Sequence, residues 1–175
     1  MDRLGFIHEK LDIKILILFI LRRLPDFISF EKLSQLVMVD DGFDYFEFTQ
    51  CLSELVESGN VISVDNRYKI TKSGAMHGET VESSIPFSVR TKAERSAQPV
   101  IDQMRRDALI STSHKALPAG GILAELSLSD GVGKIISLSL LCSGEEQAIE
   151  MEGNFRKNAE ALYHKIVELL APEKK

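Results

Sequence analysis

The stretch from Asp44 to Thr71 limits the possible folds more than any other part of the chain. In "DYFEFTQCLSELVESGNVI", Asp44 precedes an apolar stripe of Phe48, Leu52, Leu55 and Val56, and Glu47 follows Asp44 at the third position. That spacing predicts a capping box, in which two side chains satisfy backbone N–H groups that a helix start leaves unpaired. Gly59 supplies the left-handed stop at the other end. "VISVDNRYKIT" then alternates with period two around Asp65-Asn66, a pair suited to a two-residue hairpin turn. This alternation predicts that Ile62 and Val64 share a face with Tyr68 and Ile70. Ser63, Arg67, Lys69 and Thr71 then take the opposite face.

Two helices precede this unit. Residues 9–24, "EKLDIKILILFILRRL", are apolar around nearly the whole helical circumference between Ile13 and Leu21, and Pro25 ends them. A helix apolar on all sides is buried on all sides. In so small a domain, part of it is expected to pack against a second domain or a second subunit. Ser29 then caps "SFEKLSQLVMV", with Phe30, Leu33, Leu36 and Val37 at helical spacing, and "DDGFD" breaks it. Three helices running into a hairpin through a tight junction predict a winged helix-turn-helix. Thr71 in "ITKSG" starts another helix.

From Gly74 to Ile110 the pattern is mostly helical, interrupted at Ile85-Pro86, with Pro99 placed to kink or split it. The period then changes to two. Ile122, Ala124, Leu126 and Leu128 alternate with Leu123, Glu125, Ser127 and Ser129. After an Asp130-Gly131 turn, Ile136, Leu138, Leu140 and Cys142 alternate with Ile135, Ser137, Ser139 and Leu141. This predicts an antiparallel hairpin buried on one face, with residues 111–117 as a third strand. A closing helix near residues 145–170, with the stripe Ile149, Phe155, Ala159, Leu162, Ile166 and Leu170, covers that face. The fold class is therefore α+β. A winged helix-turn-helix occupies residues 1–84, a helical connector 85–110, and a small sheet of two to three strands plus helix 111–175.

"YFEFTQCLSELVESGNVI…YKITKSG" and "SLSLLCSGEEQAIEMEGNFRKNAEALYHKIVELL" together resemble an uncharacterised family, a domain of unknown function, of bacterial winged-helix proteins from Gram-positive anaerobes. The resemblance spans roughly residues 10–170. It implies the same three parts, with the connector beginning near Ile85-Pro86. In "NFRKNA" (residues 154–159), Phe155 stands where the family pattern expects Trp. More generally, "LSELVESGNVI…YKIT" is similar to winged-helix transcription regulators.

Charge and cysteine usage narrow the function. Net charge is −5, so the chain does not coat nucleic acid through bulk charge. Between Met76 and Leu117, six Lys/Arg outweigh five Asp/Glu by one, while the flanking parts are each −3 (−3 + 1 − 3 = −5). Cys51 and Cys142 lie in apolar segments far apart, which reads as buried reduced thiols and a cytoplasmic location. The start, Met1-Asp2-Arg3, shows no leader, and "ILILFIL" is far shorter than the ~20 residues of a membrane span. His8, His77, His114 and His164 are scattered without zinc-like spacing. "DGVGK" lacks phosphate-loop spacing and leads into a strand. Glu145 and Glu146 suit the start of a helix. The chain is expected to be no enzyme and to need no cofactor or metal.

A nucleic-acid reading places base-edge contacts near the start of the third helix. With the apolar stripe inward, Tyr45, Thr49, Gln50 and Ser53 are the outward candidates. Gln can pair with adenine and Thr can touch a thymine methyl. Arg67, Lys69 and Lys72 around the wing are the candidate phosphate contacts. The function expected is a homodimeric regulator of transcription that binds double-stranded DNA, its C-terminal part serving dimerisation or sensing. The alternative is a winged helix used for protein–protein interaction without DNA, favoured by the acidity of the third helix: Glu47, Glu54 and Glu57, and no Lys or Arg.

Overall fold

The apolar run near the N-terminus forms helix α1, Lys10–Leu21, in a computed structural model that describes residues 6–171. Met1-Asp2-Arg3 lies outside the described residues. The chain divides between Met104 and Arg105 into two compact units.

In the first unit, α1 is followed by β1 (Ile28–Ser29), α2 (Phe30–Val37), α3 (Tyr45–Glu57), β2 (Val61–Val64), β3 (Arg67–Ile70) and α4 (Lys72–Val81). A 3-10 turn at Glu82–Ser84 leads into α5 (Phe87–Ala108). Ile13 and residues 15–21 of α1 are all buried. Its partners are α2, α3, α4, the 3-10 turn and β3. Val89, Ala93, Ala97 and Ile101 of α5 join the same core. This corrects the expectation that α1 needs a second domain or subunit, because α4 and the turn after it close the side that three helices leave open. Pro99 does not split α5, which runs unbroken through it.

Short-range chemistry sets the element ends. Ser29 accepts the N–H of Lys32 as the cap of α2. Thr71 accepts the N–H of Gly74 as the cap of α4. The buried carboxylate of Asp40 gathers the N–H groups of Phe6, Ile7 and Gly42 at 3.0–3.1 Å, tying the chain before α1 to the loop after α2.

The three-stranded sheet of this unit has the order β1-β3-β2, all antiparallel. β1 is too short for its period to show in the sequence. Asp65 and Asn66 form the hairpin turn at positive φ (48° and 57°), as a two-residue turn requires. The register pairs Val61 with Ile70, Ile62 with Lys69, Ser63 with Tyr68 and Val64 with Arg67. Paired residues share a face, so the expected faces of β2 are reversed. Val61 is buried with Tyr68 and Ile70 behind it, and Ile62 and Val64 are exposed beside Lys69 and Arg67. The turn decides this: with two residues in it, Val64 can only oppose Arg67.

The second unit holds β4 (Ile110–Ala116), β5 (Ile122–Ser129), β6 (Lys134–Cys142) and α6 (Glu145–Leu170). The strands form an antiparallel sheet of order β4-β5-β6, so the third strand is present. Ala124, Leu126 and Leu128 face inward with Leu138 and Cys142, as the alternation predicts. The connection from β5 to β6 is a loop over residues 130–133, longer than the expected Asp130-Gly131 turn. Asp130 accepts the N–H groups of Val132 and Gly133 there. α6 covers this face, but with a shifted stripe. Ala148, Phe155 and Ala159 are buried, whereas Ile149 and Leu170 are exposed. Small Ala148 fits against Ala124 and Cys142. The backbone leaves helical geometry at Asn158 (φ −129°), which re-aims the last turns.

Candidate functional site

The surface formed by α3 and the β2–β3 hairpin is built from local rules. Asp44 accepts the N–H of Glu47 and donates its own N–H to the Glu47 carboxylate, both at 2.9 Å, so the capping box is complete. Phe43 and Phe48, at the positions of a hydrophobic staple, are buried in one core. At the far end Gly59 has φ +71°. The N–H of Gly59 reaches Val56 O, and that of Asn60 reaches Leu55 O. This double bond pattern ends the helix and turns the chain at once into β2. Thr71 fastens the junction, its hydroxyl lying 2.8 Å from Gly59 O and 3.1 Å from Asn60 O.

Phe30, Tyr45, Phe48 and Tyr68 form an aromatic cluster with ring centroids 5.7–6.3 Å apart, joining α2, α3 and β3. Tyr45 is exposed but its ring is one wall of this cluster. Thr49 is half-buried, and its hydroxyl donates to the carbonyls of Tyr45 and Phe46. Gln50 is half-buried and hydrogen-bonds Glu54. Ser53 is exposed, with its hydroxyl 3.5 Å from Glu57. These four residues lie on one broad face of α3.

The acids of α3 differ in what they do. Glu54 is held by Lys14 at 2.6 Å, with Lys10 at 3.9 Å. The Lys14 hydrogen bond, foremost, keeps its carboxyl below the usual range. Glu54 is therefore compensated. Asp44 and Glu47 satisfy backbone groups at the start of the helix, and Glu57 lies at the other end. Phe46, which the inner-stripe reading passes over, is 74% exposed between them. Its place opposite Phe48 and Leu52 on the helix is the signal that marks it.

On the hairpin, Arg67 donates to Phe27 O at 2.9 Å, and its charge also acts on the nearby Asp26 carboxylate. Lys69 pairs with Asp26 at 3.0 Å and lies over the Phe27 ring. The Phe27 N–H first, and Lys69 next, hold the Asp26 carboxyl below its ordinary value. Lys72 is exposed in the first turn of α4 and has no ion pair among the described residues. Ile62 (43%) and Val64 (54%) are exposed on the outer face with Arg67 and Lys69. Polar α3 residues, three wing cations and an exposed apolar group thus belong to one small unit.

Two other features stand apart. An apolar groove of about 490 Å³ runs between α1, α3 and α4, lined by Leu11, Ile15, Leu18, Leu55 and Val81, with Lys14 and His77 at its rim. Its polar groups are already engaged: Lys14 with Glu54 and His77 with Asn60 at 2.7 Å. In the second unit, His114 on β4 meets Glu152 on α6 at 2.7 Å, a pairing 38 residues apart that no spacing rule shows. Among the described residues no group of three His, Cys, Asp or Glu is placed to hold a metal. No helix there is long and apolar enough to cross a membrane. Cys51 and Cys142 are free and buried, and burial pushes the Cys51 thiol up.

A family model described as a domain of unknown function, DUF4364, matches residues 13–170. The chain belongs to that family. No curated protein and no solved structure matches it.

Proposed function

We propose that the first unit is a winged-helix domain and that the protein is a cytoplasmic, homodimeric DNA-binding regulator of transcription without enzymatic activity. The observation that supports this reading is the order α1-β1-α2-α3-β2-β3, with Tyr45, Thr49, Gln50 and Ser53 outward on α3 and Arg67, Lys69 and Lys72 beside the hairpin. Arg67, Lys69 and Lys72 give the hairpin the cations that phosphate contacts need. The neutralisation of Glu54 by Lys14 removes one of the acids that oppose it. Among the described residues only three cations stand beside the hairpin, so binding per subunit is weak and salt-sensitive, and two linked subunits gain by avidity. The outer sheet face of the second unit, with Ile135 and Leu141 exposed, supports the homodimer.

A second reading, protein docking without DNA, is favoured by the exposure of Phe46, Ile62 and Val64 around an acidic tip, since aromatic groups enrich interface cores. Titration of the full chain with mixed-sequence and genomic duplex at low and moderate salt separates the two. Binding at low salt that weakens steeply as salt rises supports the regulator; no binding even at low salt removes it and leaves protein docking.

A further inference from the structure

We propose that two copies of this chain join through the edge of β6, antiparallel about a twofold axis, so that the sheets of two second units run on as one. This deepens the homodimer part of the reading above and is independent of its DNA part.

β6 is an edge strand of nine residues, Lys134–Cys142. Natural edges are guarded by short length, proline, lysine or inward charge, because an open row of N–H and C=O groups invites another strand. From Ile136 to Cys142 this edge has none of those devices; Lys134 and the irregular register at Ile135, where Ile136 pairs with Leu128 but Lys134 with Ser129, guard its first end alone. The opposite edge, β4, is guarded: Lys115 pairs with Glu125 and His114 with Glu152.

The helix leaves β6 short of cover for a geometric reason. A helix is about 10 Å wide and strands lie about 4.8 Å apart, so one helix roofs about two strands. α6 packs mainly on β4 and β5. Beside β6 a cavity of about 300 Å³ remains, lined by Leu138, Leu140, Met151, Asn154 and Asn158. Leu140 stays exposed on that inner face, and Ile135 and Leu141 (70%) are exposed on the outer one.

A strand that completes this edge must therefore be apolar on its inner face and uncharged along its middle. β6 itself meets both conditions, with Ile136, Leu138 and Leu140 inside and the neutral Ser137 and Ser139 outside. In an antiparallel pair, side chains directly opposed share a face, so with the twofold axis at Leu138 that residue meets its own counterpart, Leu140 meets Ile136 of the second copy on the inner face, and Leu141 lies toward Ile135 of the second copy on the outer one. The lone charge, Lys134, sits at the end of the strand, away from the axis. An isologous contact of this kind closes at two copies and does not propagate into a fibre.

The test is sedimentation of the full chain at micromolar concentration, with Ser137→Lys/Ser139→Lys as the variant. Both serines are exposed on the outer face, and like charges opposed across strands destabilise pairing. Wild type is expected at twice the chain mass of 19.6 kDa, and the variant at one chain mass with its helix and sheet signals retained. Hydrogen exchange on the wild type gives a second readout, in which β6 amides exchange more slowly than the edge amides of β4. A monomeric wild type overturns the proposal. So does a variant that remains a dimer, or β6 amides that exchange as fast as those of β4. A dimer that ignores duplex DNA upholds this interface and ends the DNA reading, and a monomer that binds duplex does the reverse.

Discussion

Removing two wing cations, Arg67→Ala/Lys69→Ala, tests the DNA reading quantitatively. Three cations stand beside the hairpin, and each phosphate neutralised on a duplex contributes about 0.9 to the slope of log affinity against log salt. If all three engage, the slope is about 2.7 per subunit, so raising salt from about 50 to about 200 mM weakens binding about 40-fold. With Lys72 alone the slope falls to about 0.9, and the same salt step costs about threefold to fourfold. A homodimer with both subunits engaged doubles each slope. Arg67 is hydrogen-bonded to the Phe27 carbonyl and not to a carboxylate, and Asp26 acts on it only through space. Lys69 exchanges Asp26 for a phosphate at small cost, since an exposed ion pair is worth about 0–1 kcal/mol. The assay is fluorescence anisotropy on a labelled duplex over a salt series, with a thermal melt of each protein beforehand because the Arg67–Phe27 bond links β3 to the loop after α1. A double variant that keeps the wild-type slope refutes the reasoning, since the cations holding the duplex would then lie elsewhere.

Other outcomes follow from the packing. Gly74→Ala should lower stability by about 1–3 kcal/mol in denaturant melts, because a Cβ there runs into the Asn60 carbonyl at the α3–β2 junction. Asp40→Ala should cost about 3 kcal/mol, leaving the N–H groups of Phe6, Ile7 and Gly42 without their carboxylate. Asp40→Asn should cost less, since one acceptor oxygen stays. The carboxyls of Asp26, Glu54, Asp130 and Glu160 are all held below their usual values. Depressed carboxyls contribute stability that is present above their unfolded values, about 4, and is lost as pH falls through the folded ones. Melting temperature should therefore be flat from neutral to mildly acid pH and drop below about pH 4, less steeply in Glu160→Gln. Phe46→Ala should leave the melt unchanged, because an exposed ring contributes little to the core.

What could be read from the chain alone was set by short-range bonds. The Asp44–Glu47 box, the Ser29 and Thr71 caps, Gly59 and the Asp65-Asn66 turn depend on neighbours a few residues away, and each lies where its spacing puts it. Faces were harder. Ile62 and Val64 look like inner residues because they are apolar, yet turn length overrides identity and places them outside with Lys69 and Arg67. Ile149 is apolar and exposed, while Ala148 lies inside because a small side chain fits the floor of the sheet. The burial of α1 by its own unit depends on α4 and the turn at Glu82–Ser84, 50 or more residues further on. At the candidate site the residue types on α3 were legible, but their commitments were not. The Thr49 hydroxyl, the Gln50 amide and the Lys69 ammonium each have a partner in the fold, and Asp26 is 43 residues from Lys69.

The most direct measurement of the central claim is an NMR titration of the labelled full chain with duplex DNA at low salt. The account predicts that amides of Tyr45, Phe46, Thr49, Gln50 and Ser53 on α3, and of Arg67 to Lys72 on the wing, shift together and saturate. Shifts confined to the second unit, or none at all while a protein partner moves those same residues, would contradict it.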